Sequence, residues 1–193
     1  VVKIQGGGVV RIKGNILKAR RAFVDQQFGA GSWDRVVDSL QAEDQKVLRG
    51  IITHGAWYDF DLGTRVDEAI VAVLGGGRRE VFEEMGCASA RENLTTVHKL
   101  LVEHGNPQAF MAKANVIYQF YYGVGRREWE ATGPNSGVMT TYDADTFSMA
   151  DCMTVVGWYK QGLEMCGAKN PRVVETDCRG NGASVCRYEV SWS

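Results

Sequence analysis

Cys152, Glu175, Cys178 and Cys186, in the last quarter of this chain, are the residues whose types and spacing best suit chemistry. Three thiolates and one carboxylate complete a tetrahedral zinc shell with no open position. A closed shell of this kind holds structure together and has no bound water for catalysis. Cys152 falls in the first turn of a predicted helix, where the positive end of the helix dipole favours a thiolate. Cys178 and Cys186 flank a Gly-rich turn between two predicted strands, so their side chains can converge. One geometric condition applies. Glu175 and Cys178 are three apart, and on a regular strand they point to opposite faces. Both can ligate only where the strand ends or bulges near Asp177. On the residues alone three readings stand: a zinc site, a cross-hairpin disulfide, and ordinary buried cysteines. The chain holds five cysteines, so an all-disulfide scheme leaves one unpaired. Cys87 and Cys166 read as buried or incidental.

Other chemistry is sparse. No Ser-His-Asp set, catalytic carboxylate pair or activated thiol stands out, so an enzyme is not expected. There is no G-x-G-x-x-G and no phosphate-binding loop. The histidines are His54, His98 and His104. His98 reads as a core residue on an apolar helix face, and His104 as a solvent-facing residue near a helix end. Arg126, Arg127 and Glu128 read as a solvated strand start. Tyr118, Tyr121, Tyr122, Trp158 and Tyr159 are core aromatics that can also line a cavity.

These residues need elements to position them. A chain of 193 residues with 45% hydrophobic and 23% charged residues suits one soluble globular domain. The formal charge is −1, which argues against nucleic acid as a partner. No apolar run reaches the ~20 residues of a membrane span. The N-terminus lacks an apolar leader, so a reducing cytoplasm is expected. Gly6 to Gly8 and Gly75 to Gly77 read as breakers. The segment VVRIK predicts a short strand. Apolar spacing predicts a helix after Gly14 that stops at Gly29, two short helices over SWDRVVDSL and AEDQKVLRGII, and one over TRVDEAIVAVL with Thr64 as cap. A further helix is predicted over ENLTTVHKLLVEHG, with Leu94, Val97, His98 and Leu101 on one face. Another begins at the Asn106 cap and Pro107 and runs to Gly123.

The pattern then changes. Two strands surround the turn Gly133–Gly137, a helix starts at the Ser148 cap, and two strands surround Arg179–Gly182. The fold class is α+β, with helices first and then a β-β-α-β-β antiparallel unit. The chain is read as one domain over 1–193, mainly helical over 1–123 and sheet-bearing over 124–193.

The C-terminal third resembles the 4-vinyl reductase type of ligand-binding domain, in the superfamily of haem–nitric oxide binding domains and TRAPP tethering subunits. Its four metal-type residues are similar in spacing to the zinc motif of bacterial aromatic-sensing activator domains. In that motif a Cys is followed 23 residues later by Glu, and a Cys-x7-Cys begins three after the Glu, as from Cys152 here. Gly157-Trp158 and the ending CRYEVSW look like these domains too. The segments KGNILKARRAFVDQQFGAGSWDRVV and NPQAFMAKANVIYQFYYGVGRREWEATGP resemble the superfamily more weakly.

The resemblance implies a bacterial, cytoplasmic sensory domain with a structural zinc at Cys152, Glu175, Cys178 and Cys186. It implies an internal pocket for a small apolar or aromatic molecule, a homodimer, and an output partner. The candidate pocket residues are His104, Tyr118, Tyr122, Trp129 and Trp158. Haem-binding members need a proximal His and a Tyr-x-Ser-x-Arg motif; this chain lacks the motif and His98 reads as a core residue rather than an iron ligand, so no haem is expected and a haem gas sensor stands only as a minor rival. The rival reading is a scaffold module without a regulated ligand. A tetrapyrrole vinyl reductase is implied only by the family's name.

Overall fold

The computed structural model describes residues 10–193. In chain order the elements are β1 (Arg11–Lys13), α1 (Gly14–Phe28), α2 (Ser32–Asp38), α3 (Ala42–Arg49), β2 (Trp57–Asp59), α4 (Phe60–Val73) and α5 (Glu80–Thr95). They continue with α6 (Pro107–Ala112), α7 (Ala114–Tyr121), β3 (Arg126–Gly133), β4 (Ser136–Tyr142), α8 (Met149–Met165), β5 (Arg172–Asp177) and β6 (Cys186–Ser191). The class is α+β, with the helices first and the β-β-α-β-β unit after them. Gly6 to Gly8 lie outside the described residues.

The main sheet is antiparallel throughout, in the order β3-β4-β6-β5. Its alternation follows from period two: Cys186, Tyr188 and Val190 are buried while Arg187, Glu189 and Ser191 are exposed. Helices α6, α7 and α8 pack on the sheet. A two-stranded ribbon, β1 with β2, closes the helical half, and a bridge from Ile12 to Tyr122 ties it to the end of α7. One continuous core runs from Phe23 and Val36 through Phe110 and Tyr118 to Tyr188 and Val190. Each such side chain contributes about 1.5–3 kcal/mol on burial.

Helices α5 and α8 approach so closely that side chains are excluded at their crossing. A Cβ on Gly157 would sit 2.0 Å from the Glu83 carbonyl oxygen, and one on Gly86 would sit 2.0 Å from that of Thr154. Only glycine permits this contact.

Several local expectations are corrected. Helix α4 starts at Phe60 and is capped by Asp59, which accepts from the Asp61 amide at 3.1 Å; Thr64 lies inside the helix. The expected helix over ENLTTVHKLLVEHG does not form. Its first residues end α5, and the chain turns away at Thr96. Thr95 and Thr96 hydroxyls bond back to the Arg91 and Glu92 carbonyls, which competes with helix continuation. Val97 is consequently exposed. The helix from Asn106 breaks at Lys113 into α6 and α7, yet its stripe of Phe110, Met111, Ala114, Ile117, Tyr118 and Tyr121 is buried as expected.

Candidate metal centre and buried pocket

The ligand atoms of Cys152, Glu175, Cys178 and Cys186 all lie within 4.8 Å of one another. Each arrives by a different device. Ser148 caps α8 by accepting from the Asp151 amide at 3.0 Å, which sets Cys152 in the first turn. Strand β5 slips register against β6 between Glu175 and Asp177. This bulge is what lets Glu175 and Cys178 face one point. A short helical turn over Arg179–Asn181, ended by Gly182 at φ 95, returns the chain to Cys186.

The sulfurs of Cys152 and Cys186 are 3.7 Å apart, and those of Cys178 and Cys152 are 3.6 Å apart. A tetrahedral zinc with Zn–S of about 2.3 Å places its sulfurs about 3.8 Å from each other. A disulfide would need about 2.05 Å, and all five cysteines are free thiols. The Glu175 Oε1 atom is buried with no hydrogen-bond partner, as an oxygen reserved for a cation would be. The contact between Cys152 and Cys186 divides their acidities. It raises Cys152, aided by burial, and lowers Cys186 to about 7. The Arg179 amide also donates to the Cys186 sulfur at 3.4 Å, which favours its thiolate.

A separate cavity of about 40 Å³ lies between α1, α5, α7, β3 and α8. Ile16, Ile117, Val155 and Trp158 supply much of its wall, with Arg20, Tyr121, Tyr122, Arg127, Asp151 and Tyr159 as polar members. Arg20 is buried and bidentate on Asp67, at 2.6 and 3.2 Å. Tyr122 donates to Asp151 Oδ1 at 2.7 Å. Burial pushes the Asp151 carboxyl up to about 6, against the pull of that hydrogen bond.

The structure brings Tyr122 and Trp158 into this cavity and leaves the other candidates outside it. His104 is exposed in the loop before α6. Trp129 shares a face of β3 with Arg127 but lies farther along, where it stacks on Trp192 and donates to Gln108 Oε1 at 3.0 Å. Tyr118 is buried behind the cavity, stacked on Tyr122, with its hydroxyl donating to the Val124 carbonyl at 2.6 Å. Arg127 corrects the reading of a solvated strand start. It is buried, donates from Nε to Thr141 Oγ1 at 2.8 Å and sits over the rings of Tyr118 and Tyr159. Arg126 and Glu128 behave as expected, exposed and paired with each other, and Arg126 also pairs with Asp143. Period-two alternation along β3 separates the two arginines, and this was the available signal. Arg20 and Asp67 fall on apolar helix faces, a signal that the sequence reading missed.

His98 is stacked on Phe120 and meets Tyr121, itself a wall of the cavity, edge-on. Its Nε2 is buried without a partner, and burial lowers its pKa, which favours the neutral ring. A neutral imidazole with a free nitrogen has the donor chemistry that an iron requires. The cavity is far smaller than the roughly 300–1,000 Å³ of pockets that enclose drug-sized ligands, so this conformation has room for a small ligand and not for a macrocycle.

No family model and no curated protein matches the chain. Solved structures do. The Fe(II) unliganded H-NOX protein from K. algicida is 14% identical, with a TM-score of 0.69 over 94% of this chain and 96% of that one. An H-NOX protein from S. oneidensis in the Fe(II)NO state is 14% identical, with a TM-score of 0.69 over 94% and 99%. A structure described by heme redox potential and porphyrin distortion is 14% identical, with a TM-score of 0.64 over 94% and 99%. These structures correct the expectation of no haem, which rested on the missing motif and on reading His98 as a core residue: a protein of this same fold is described by its heme. They lend nothing specific to the 4-vinyl reductase or zinc-motif resemblance. What they establish is architecture: from β1 to β6 this chain has the fold of the H-NOX proteins.

Proposed function

We propose that this chain is a sensory domain, one unit over 1–193, that binds a small and largely apolar ligand in its internal cavity. A structural zinc on Cys152, Glu175, Cys178 and Cys186 would pin α8 to the β5–β6 hairpin. The observation that carries the reading is a small, partly open cavity walled jointly by the helical half and the sheet half. Asp151 lines it and precedes Cys152 directly. A change in the cavity is therefore one residue from the metal centre, and the last hairpin can report it to a partner. The cavity favours sensing over a scaffold without a regulated ligand, and its volume does not favour an aromatic ring. Nothing in the cavity resembles a reductant site, so we read the chain as a binding domain and not an enzyme.

The solved relatives bring haem into the same proposal. His98 offers a buried imidazole nitrogen without a partner beside the cavity wall, but it does not line the cavity, and the cavity in this conformation does not hold the macrocycle. No described helix is long and apolar enough to cross a membrane, and we assign the domain to the cytoplasm. A homodimer would cover the apolar surface beside His98, where Val97, Leu100, Val116 and Phe120 are exposed.

Native mass spectrometry of the purified protein, with an absorption spectrum of a haem-supplemented sample, tests the reading. A co-purified small ligand, or a Soret band that Ala at His98 removes, supports it. A chain that carries zinc alone and takes up neither small molecules nor haem overturns sensing.

A further inference from the structure

The groups around the cavity hold more hydrogen-bonding capacity than the protein uses. Trp158 Nε1, Tyr121 Oη and Tyr159 Oη are buried without a partner in good hydrogen-bond geometry, although Tyr121 approaches Trp158 and Tyr159 approaches Arg127. Arg127 is 5% exposed, and among the described residues it forms no ion pair. All four residues line the same cavity. The indole N–H and the guanidinium only donate, and the hydroxyls donate or accept. A ligand that satisfies them must present acceptor oxygens. A buried guanidinium with no carboxylate hydrogen-bonded to it favours negative charge on those oxygens, in the planar form that a carboxylate offers. Asp67 is held by Arg20; Asp151, on the same wall, accepts from Tyr122 and offers Arg127 a nearby countercharge but no hydrogen bond.

Size narrows the class. A cavity of about 40 Å³ corresponds to roughly three water positions, at 10–15 Å³ each, which is space for a few heavy atoms. The remaining wall is aliphatic, from Ile16, Ile117 and Val155. Resting on the sensory reading above, we propose that the cavity binds a short-chain monocarboxylate. Arg127 is its counter-ion, Trp158 and the two tyrosines are supporting donors, and the aliphatic wall holds its tail.

The test compares acetate and butyrate with acetamide and butyramide, by calorimetry and thermal unfolding of the zinc-loaded protein at matched ionic strength. The carboxylates should bind and raise Tm by about 5–10 °C at a hundredfold excess over Kd, and the amides should not. Arg127→Gln should weaken butyrate at least about tenfold, and Tyr159→Phe roughly 2–10-fold. Equal binding of amide and carboxylate, or unchanged affinity in Arg127→Gln, overturns the proposal. Should Arg127→Gln fail to fold, Tyr159→Phe and the amide comparison decide the matter. Binding of phenol or a gas ligand without any carboxylate binding sinks this inference and leaves sensing intact. No binding by any of these probes sinks both.

Discussion

Cys178 Sγ lies 3.6 Å from Cys152 Sγ although 26 residues separate them in the chain. One sulfur comes from a helix N-terminus and the other from the end of a bulged strand. Three thiols and a partnerless carboxylate oxygen within a 4.8 Å cluster form a costly arrangement unless a cation joins them.

Metal analysis of protein purified without chelator should therefore find about one zinc per chain. Cys178→Ser should lower zinc content and reduce Tm by on the order of 10 °C, because binding energy at such a site is folding energy. Cys87→Ser should change neither, since that thiol is remote and donates to the Gly157 carbonyl at 3.3 Å. Metal-free wild type would refute the assignment.

Gly157→Ala should destabilise by about 3 kcal/mol or more, read as a lower urea midpoint at constant slope. The added methyl meets the Glu83 carbonyl at 2.0 Å, and backbone on α5 cannot swing aside as a side chain can. Gly29→Ala is a useful control. It has open space around it, and its cost arises only from its φ of 87.

The buried Arg20–Asp67 pair makes a non-additive prediction. Asp67→Asn should cost about 3–5 kcal/mol in urea unfolding, because it strands a buried guanidinium. The double variant Arg20→Met with Asp67→Leu should be more stable than Asp67→Asn, because no charge is left unpaired. A double variant as unstable as the sum of both singles would show that the pair does not act as a unit.

Acid should reveal His98. Burial lowers its folded-state pKa, so protons bind the unfolded chain more readily as pH falls. Its contribution to stability is present above the unfolded value of about 6.5 and is lost as pH falls below it. His98→Phe should flatten the change in urea midpoint between about pH 7 and pH 5 relative to wild type. Parallel pH profiles for the two proteins would show that the ring is not buried neutral.

Much of this protein was readable along the chain. Local rules placed α1, the Asn106 and Ser148 caps, both hairpins of the sheet and the alternation of β6, because caps, turns and periodicity act over a few residues. Spacing alone picked out Cys152, Glu175, Cys178 and Cys186, and it stated the condition they had to meet, a bulge near Asp177. Tertiary structure supplied that bulge, since register is set by the partner strand β6. Tertiary structure also decided the pocket. Arg127 lies beside an exposed arginine in sequence and is buried only because α7 packs on β3 and Tyr159 of α8 lies against the guanidinium. Trp129 and His104 have suitable side chains but sit on positions that no helix turns toward the cavity. Residue type announces what a group can do. Which groups meet depends on long-range packing, and packing is a property of surfaces brought together from distant parts of the chain.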